Sequence, residues 1–409
     1  MSDPFDFNRI TRQSKNLAVK LTARGEQRVR SGHPWIFEHH IEQLKADGQT
    51  GDIAIIFSHK KNQVLGIGLY DPDSPICIKM LHHGSGKTID TTFFEGRVEV
   101  AYKKRIPLLQ TDTNSYRLLF GENDGFPGLI ADVYDEVLVI KLYSTIWLPW
   151  FKALLDKLLS LSGAGVAVLR LSRKLIQSPP DGLRDGMVIF GSLDGEDVVF
   201  KEHGVRFSAN VIQGHKTGYF LDHRHNRKRV GELSQGKSVL DVFAYSGGFS
   251  VHALVGGATE VTSVDISRQA LDQASNNVWL NEFNGSHICL AGDAFKIMKE
   301  LAEQGKTYDM VVIDPPSFAK QQSEIDRAKH KYANLTEIGS RLTSSNGLLV
   351  LASCSSRISK QSFFDVVETT LRRVGRRFKC LEKSDHDIDH PVSFPEGAYL
   401  KCGFYRFID

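Results

Sequence analysis

"SVLDVFAYSGGFSVHAL", residues 238 to 254, is the stretch on which the fold turns. It opens as an apolar strand ending at Asp241, passes through small and aromatic residues, and continues as a helix. Gly247 and Gly248 lack the Cβ that would hold a ligand away, so backbone N–H groups in this turn can come close to a bound group. From about residue 196 onward, apolar strands alternate with helical spacings, which predicts an α/β region with a parallel sheet and helices on both faces.

The neighbouring strands end in the same way. Twenty-four residues past Asp241, "EVTSVDIS" (260–267) ends in Asp265, where a carboxylate can accept hydrogen bonds from both hydroxyls of a ribose. "HICLAGDAF" (287–295) ends in Asp293, placed to face the exocyclic amine of an adenine. Ile266 and Ser267 after the second acid and Ala294 after the third complete the candidates around such a nucleoside. Three acid-ended strands over one crevice describe a site for an adenosyl cofactor. A dinucleotide would call for G-x-G-x-x-G at the first turn, and Phe243 and Tyr245 stand where those glycines belong, so pyrophosphate is disfavoured. S-adenosylmethionine (SAM) carries no phosphate, and its amino acid tail needs acceptors such as Asp241; it is the cofactor expected.

The fourth strand gives "YDMVVIDPPSF" (308–318), with Asp314 at the carboxyl end, where open α/β sheets hold their ligands. Pro315 and Pro316 fix an extended turn that offers carbonyls without competing N–H groups, and Phe318 follows, so the loop can hold the edge of a base. Read alone, D-P-P is equally a chain stop. In the fifth strand, "NGLLVLASCSSR" (346–357), Cys354 lies where the apolar run gives way to hydroxyls, on the same edge as Asp314. It is either a small buried residue closing the strand or a thiol at the mouth of the site.

At 409 residues the chain predicts two or three domains, and 41% hydrophobic with 24% charged residues is the composition of a folded globular protein. No basic leader with an apolar core opens it, and the most apolar stretch, 137–155, is broken by Lys141, Pro149 and Lys152; a cytoplasmic protein with no membrane partner is expected. Five widely spaced cysteines, without C-x-x-C, argue against a disulfide framework and against a metal site. Net charge is +3, yet residues 8–30 hold seven Lys or Arg against Glu26, residues 216–229 five against Asp222, and residues 371–383 six against Glu382. Such excesses suit a nucleic acid backbone, or are the solvated faces of helices and loops.

Texture divides the chain into a tail (1–15), a region of short strands separated by turn residues (16–90), a mixed region (91–195) containing the turn cluster "GENDGFPG", and the alternating region (196–409). Within the second, His33, Pro34 and Trp35 make either an RNA contact or a tight turn with a core tryptophan.

Taken together, "GHPWIFEHHI" (32–41), "QGHKTGYFLDHRHNR" (213–227), "DVFAYSGGFS" (241–250), "DPPSF" (314–318), "SCSS" (353–356) and "HPVSFPEGAYLKCGFYR" (390–406) resemble the RlmI-like class I methyltransferases of bacterial 23S ribosomal RNA. The resemblance runs over nearly the whole chain after residue 16. It implies a small N-terminal β (PUA) domain that binds RNA, a central α+β domain and a Rossmann-like catalytic domain, with SAM as cofactor, 23S rRNA or a large-subunit precursor as partner, and a homodimer. By position, Cys354 matches the family's S-C-S cysteine, the catalytic nucleophile of members that methylate carbon 5 of cytosine, and Tyr219 and Phe220 belong to a loop that closes on the cofactor. Asp314 is the second catalytic candidate, and Arg224 and Arg227 are expected to hold phosphates. One departure is that "DPPSF" lacks the second cysteine that many cytosine-C5 RNA enzymes carry there. The alternatives are methylation of a purine nitrogen such as guanine N7, which needs no covalent nucleophile, and a non-enzymatic RNA-binding assembly factor.

Overall fold

The alternation in "NLAVKL" becomes an alternation of exposed and buried side chains along strand β1 (Asn16–Leu21). The computed structural model to which this strand belongs describes residues 5–409 apart from 11, 59, 61 and 181, so residues 1–4 and 11 of the expected tail lie outside the described residues. Two compact units emerge, each discontinuous in sequence: Met1–Phe200 with Ala209–Leu221 and Ile388–Phe394, and Lys201–Ser208 with Asp222–Asp387 and Pro395–Asp409.

In the first unit, β1 joins β2 (Trp35–Ile36), β3 (Ile41–Leu44), β4 (Ile53–Phe57), β5 (Val64–Tyr70) and β6 (Ile78–His83). Their order is β2-β6-β5-β4-β1-β3, antiparallel except for the β1–β4 pair. Helix α1 (Ala23–Arg30) starts where the Thr22 hydroxyl accepts from the Gly25 N–H.

A second sheet has the order β11-β10-β9-β8-β7, from β7 (Ser115–Phe120), β8 (Leu129–Tyr134), β9 (Val137–Leu142), β10 (Val166–Leu171) and β11 (Met187–Phe190). Helices α2 (Thr91–Leu109), α3 (Phe151–Ser162) and α4 (Arg173–Gln177) accompany it. The apolar stretch 137–155 is thus divided between β9 and α3, and among the described residues no helix is long and apolar enough to cross a membrane. Phe94, Phe126 and Trp147 are among the largest side chains of this unit's core. Arg105 and Arg117 are buried in pairs with Asp124 and Asp132, and the late residue Asp389 accepts the Arg117 N–H at 2.9 Å while its carbonyl accepts from Arg105 at 3.0 Å. Strands β12 (Asp197–Glu202) and β13 (Val205–Asn210) form a two-stranded sheet.

The second unit carries the alternating pattern read from the sequence. After α5 (Arg224–Glu232) come β14 (Ser238–Val242), α6 (Gly248–Val255), β15 (Glu260–Asp265), α7 (Arg268–Trp279), β16 (Ser286–Ala291), α8 (Ala294–Glu303), β17 (Tyr308–Ile313), α9 (Ile325–Leu342), β18 (Thr343–Ser353), α10 (Lys360–Arg373), β19 (Phe378–Ser384) and β20 (Lys401–Phe407). The order is β16-β15-β14-β17-β18-β20-β19; the first five are parallel, and β20 runs antiparallel to both of its neighbours. The chain steps outward from β14 to β16 and returns to β17 on the other side of β14. The carboxyl ends of β14 and β17 therefore flank the switch point, where an open sheet leaves a crevice for ligands.

Candidate cofactor and catalytic site

The turn after β14 is held in an unusual shape. Phe243 and Tyr245 have φ of +65° and +49°, a region that costs a side-chain-bearing residue of order 1–3 kcal/mol. Hydrogen bonds hold it there: the Ala244 N–H donates to the Val264 carbonyl at 3.0 Å and the Tyr245 N–H to Asp265 Oδ2 at 2.9 Å. Gly247, at φ +76°, begins α6 so close to α7 that a Cβ there would lie 2.8 Å from the Ala274 Cβ. The glycine is thus required by conformation and by packing.

Asp241 faces this turn and is 1% exposed. Its Oδ2 accepts from the Ser250 N–H at 3.1 Å and the Ser250 hydroxyl at 2.6 Å, whereas Oδ1 is buried with no hydrogen-bond partner. Burial, with the charges of Asp314 and Asp265, pushes its carboxyl up to about 7. A buried acceptor lacking a donor fits a cationic amine, which the amino acid tail of SAM supplies. Asp265, half-buried, accepts the Tyr245 and Ser267 N–H groups, one on each oxygen, and each oxygen retains a lone pair for a ribose hydroxyl. Ile266 beside it is 76% exposed, an apolar surface for an adenine face. Ser267 caps α7 and Asp293 caps α8, the latter accepting from the Lys296 N–H at 2.9 Å; both are exposed, and Ala294 is buried.

Across the switch point, the Asp314 N–H donates to the Val242 carbonyl at 3.2 Å, so the start of the D-P-P loop is bonded to β14. Asp314 Oδ1 lies 3.4 Å from His223 Nε2. His223 Nδ1 accepts from Asn226 Nδ2 at 3.1 Å, and Asn226 Oδ1 accepts from the Ser384 hydroxyl. This chain leaves the ring proton on Nε2, facing Asp314. Burial by itself would pull His223 down, but the charge of Asp314 beside it outweighs that and holds it above its ordinary value. His223 and Asn226 are further candidates at this site; in the sequence, His223 reads only as a solvated or hydrogen-bonded histidine paired with His225, and "HRHN" stands out by its arginine.

Pro315 is buried and Pro316 exposed. Phe243, Phe295, Phe318 and Tyr332 form a line of ring contacts from the β14 turn to α9, with centroids 5.2–6.4 Å apart. Cys354 follows β18 directly, is half-buried, and its Sγ lies 3.8 Å from the Pro315 carbonyl oxygen. The thiol therefore stands against the D-P-P loop.

Other candidates lie elsewhere. Arg224 and Arg227, expected to hold phosphates, are 0% and 3% exposed. Arg227 forms a bidentate pair with the buried Glu202, at 2.7 and 2.6 Å, and Arg224 pairs with Asp387 at 3.2 Å. His252 shares Glu202 at 2.9 Å. Both guanidinium groups are taken up inside the protein, which corrects their assignment as phosphate contacts.

Tyr219, expected in a closing loop, is 3% exposed in the first unit, edge-on to Phe200, and its N–H donates to the Tyr134 hydroxyl. Phe220, in that unit too, lies under the Lys216 ammonium at 4.7 Å. Half-buried Trp35 donates its indole N–H to Glu122 and packs on Phe394, while His33 accepts the Trp35 N–H and meets Arg28. The basic run 371–383 is largely paired: Arg372 and Lys383 with Glu368, Arg373 with Glu337, and Arg376 with Asp409.

Known proteins share this architecture. Residues 117–402 match the family model of the S-adenosylmethionine-dependent methyltransferases, and residues 19–83 that of a PUA-like domain. A ribosomal RNA large subunit methyltransferase of Deinococcus radiodurans is 42% identical over 95% of this chain and 97% of its own. Ribosomal RNA large subunit methyltransferase I of Shewanella frigidimarina is 33% identical over 94% and 98%. A Streptococcus mutans structure described as a SAM-dependent methyltransferase superposes with a TM-score of 0.79 at 20% identity, covering 95% of this chain and 99% of that one. A methyltransferase solved with SAH superposes at 0.78, also at 20% identity, over 96% and 100%. The α/β architecture with an N-terminal PUA-like domain, the SAM dependence and the family expected from the motifs are thereby borne out. The chain belongs to the S-adenosylmethionine-dependent methyltransferases, in the family of these large-subunit ribosomal RNA enzymes.

Proposed function

We propose that this enzyme methylates carbon 5 of a cytosine in large-subunit (23S) ribosomal RNA, and that Cys354 forms a transient covalent bond to the base. The RNA class is supported by the names of the relatives. The cytosine chemistry is carried by one observation, the thiol of Cys354 at the carboxyl end of β18, 3.8 Å from the carbonyl of Pro315 in the Asp314 loop. Asp241 holds the ammonium of SAM, Asp265 the ribose, and Asp293 with Ile266, Ser267 and Ala294 the adenine. Bound SAM supplies an electrophilic methyl on a sulfonium.

Carbon 5 of cytosine is a poor nucleophile. The Cys354 thiolate adds to carbon 6, and the electron pair displaced toward carbon 5 makes that atom nucleophilic. Asp314 accepts hydrogen bonds from the amino group and the protonated N3, which stabilises the protonated ring, and that ring draws electrons from carbon 6. After methyl transfer a base removes the proton on carbon 5, the C6–S bond breaks, and Cys354 leaves as thiolate. His223 holds Asp314 by one oxygen and leaves the other for the base. Since "DPPSF" has no cysteine, no second thiol from this loop takes part in release.

Mass mapping of ribosomal RNA from cells lacking the protein tests the reading together with purified Cys354→Ala. The expected result is the loss of one 5-methylcytidine and no turnover by the variant. A missing methyl on guanine N7, or a variant that still turns over, overturns the cytosine mechanism.

A further inference from the structure

We propose that Lys401 is the positioning residue that keeps Cys354 ionised, its buried ammonium standing beside the thiolate as the counter-charge. The proposal rests on Cys354 as nucleophile and names what prepares it. Lys401 opens β20 and pairs in register with Ser353, the residue before Cys354. Its ammonium donates to the carbonyl of Ser355, the residue after Cys354, and to that of Tyr399 at 2.8 Å. Lys401 is thus tied by its backbone to the residue before the cysteine and by its ammonium to the residue after it.

Lys401 is 1% exposed, and among the described residues no carboxylate lies within ion-pairing distance of it. Charged lysines are seldom buried this far without an anion, because desolvation is repaid only by a partner. Lys79 makes the contrast: 6% exposed, it sits 2.6 Å from Asp71. For Lys401, burial pulls the ammonium down to about 8, and the one charge acting against that is Cys354. The coupling is reciprocal, so an ammonium favoured by the thiolate favours the thiolate by the same amount. Tyr332 on α9, largely buried, is a further ionisable group that feels both Cys354 and Asp314. Cys402, next along β20 and fully buried, is held well above the usual thiol range by its burial.

The proton of the Cys354 thiol passes to water, or to Lys401 when that amine is neutral, leaving an ammonium–thiolate pair. Sulfur loses its charge as the C6–S bond forms and regains it when the bond breaks, so the same cation stabilises the departing thiolate. A lower thiol pKa weakens the nucleophile only with a slope of about 0.4–0.5, so the gain in thiolate near neutral pH outweighs the loss.

The test is the pH dependence of Cys354 alkylation by iodoacetamide in the full chain, read from the mass of the Cys354 peptide. In the wild type the midpoint is expected below the ordinary thiol value of about 8.5. Lys401→Met should raise it by about one unit, tenfold less thiolate at neutral pH, with kcat recovering toward pH 9 and KM for RNA unmoved. Lys401→Arg should restore the wild-type midpoint. A wild-type midpoint at or above about 8.5 overturns the proposal without any variant, as does a folded Lys401→Met whose midpoint does not move. If Cys354→Ala still turns over while the wild-type midpoint is low and Lys401→Met raises it, the covalent reading falls and the Lys401–Cys354 pair stands.

Discussion

In the second unit, two groups of charged residues make opposite use of burial. At the carboxyl end of β14, Asp241 keeps one buried oxygen without a donor. On α5, Arg227 spends its guanidinium on both oxygens of Glu202, and Arg224 reaches Asp387. Both looked like ligand-binding charge in the sequence. The difference is whether the fold supplies the opposite charge: where it does, the residue holds the protein together, and where it withholds it, the charge is left open to a ligand. Counting charge along the chain cannot tell the two apart, because Glu202 lies 25 residues from Arg227 and on another element.

The largest effect expected from this contrast is on stability. Glu202→Gln leaves Arg227 without its partner and should cost about 3–5 kcal/mol of unfolding free energy, measured by denaturant titration. A cost near zero would mean that the arginines are not structural.

Asp241→Asn should act on the ligand instead. Removing a charge-assisted hydrogen bond of about 1.5–3 kcal/mol weakens SAM binding roughly ten- to a hundredfold by calorimetry, with the melting temperature of the ligand-free protein maintained or raised. A large loss of stability with unchanged affinity would reverse the comparison.

Acidity sharpens it further. The Asp241 carboxyl sits near 7 when folded, above its usual 3.8. The folded state therefore holds this proton more tightly than the unfolded state between those values. Its contribution to ligand-free stability is fully present below about pH 4, declines as pH rises, and is lost above about 7. SAM affinity should run the other way, rising through pH 7 as the carboxylate forms and levelling above it. The Asn variant should lose this component of both profiles.

The smallest change belongs to Lys228, whose side chain is 45% exposed and 3.9 Å from Glu232. Lys228→Ala should move the unfolding free energy by less than about 0.5 kcal/mol.

The parallel sheet was legible because its signal is local: each apolar run ends in an acid or a turn, and the βα spacing repeats. Asp241, Asp265 and Asp314 followed from that placement, and Cys354 from its position at the end of β18. Longer-range features left no such trace. His223 and Asn226 meet Asp314 and Ser384, which are brought to them only by the folded sheet. Lys401 becomes noticeable only when seen paired with Ser353 across an antiparallel strand. Tyr219 was placed by resemblance to a loop motif, and the packing that buries it comes from Tyr134 and Phe200, far apart in sequence.

The segment Ile388–Phe394 belongs to the first unit although the rest of its part of the chain builds the second. Asp389 accepts the Arg117 N–H across 272 positions. During translation the earlier unit therefore waits for residues made long after it, and its polar core closes only when most of the polypeptide has left the ribosome. Nascent chains halted before residue 388 should resist protease less in that unit than released ones.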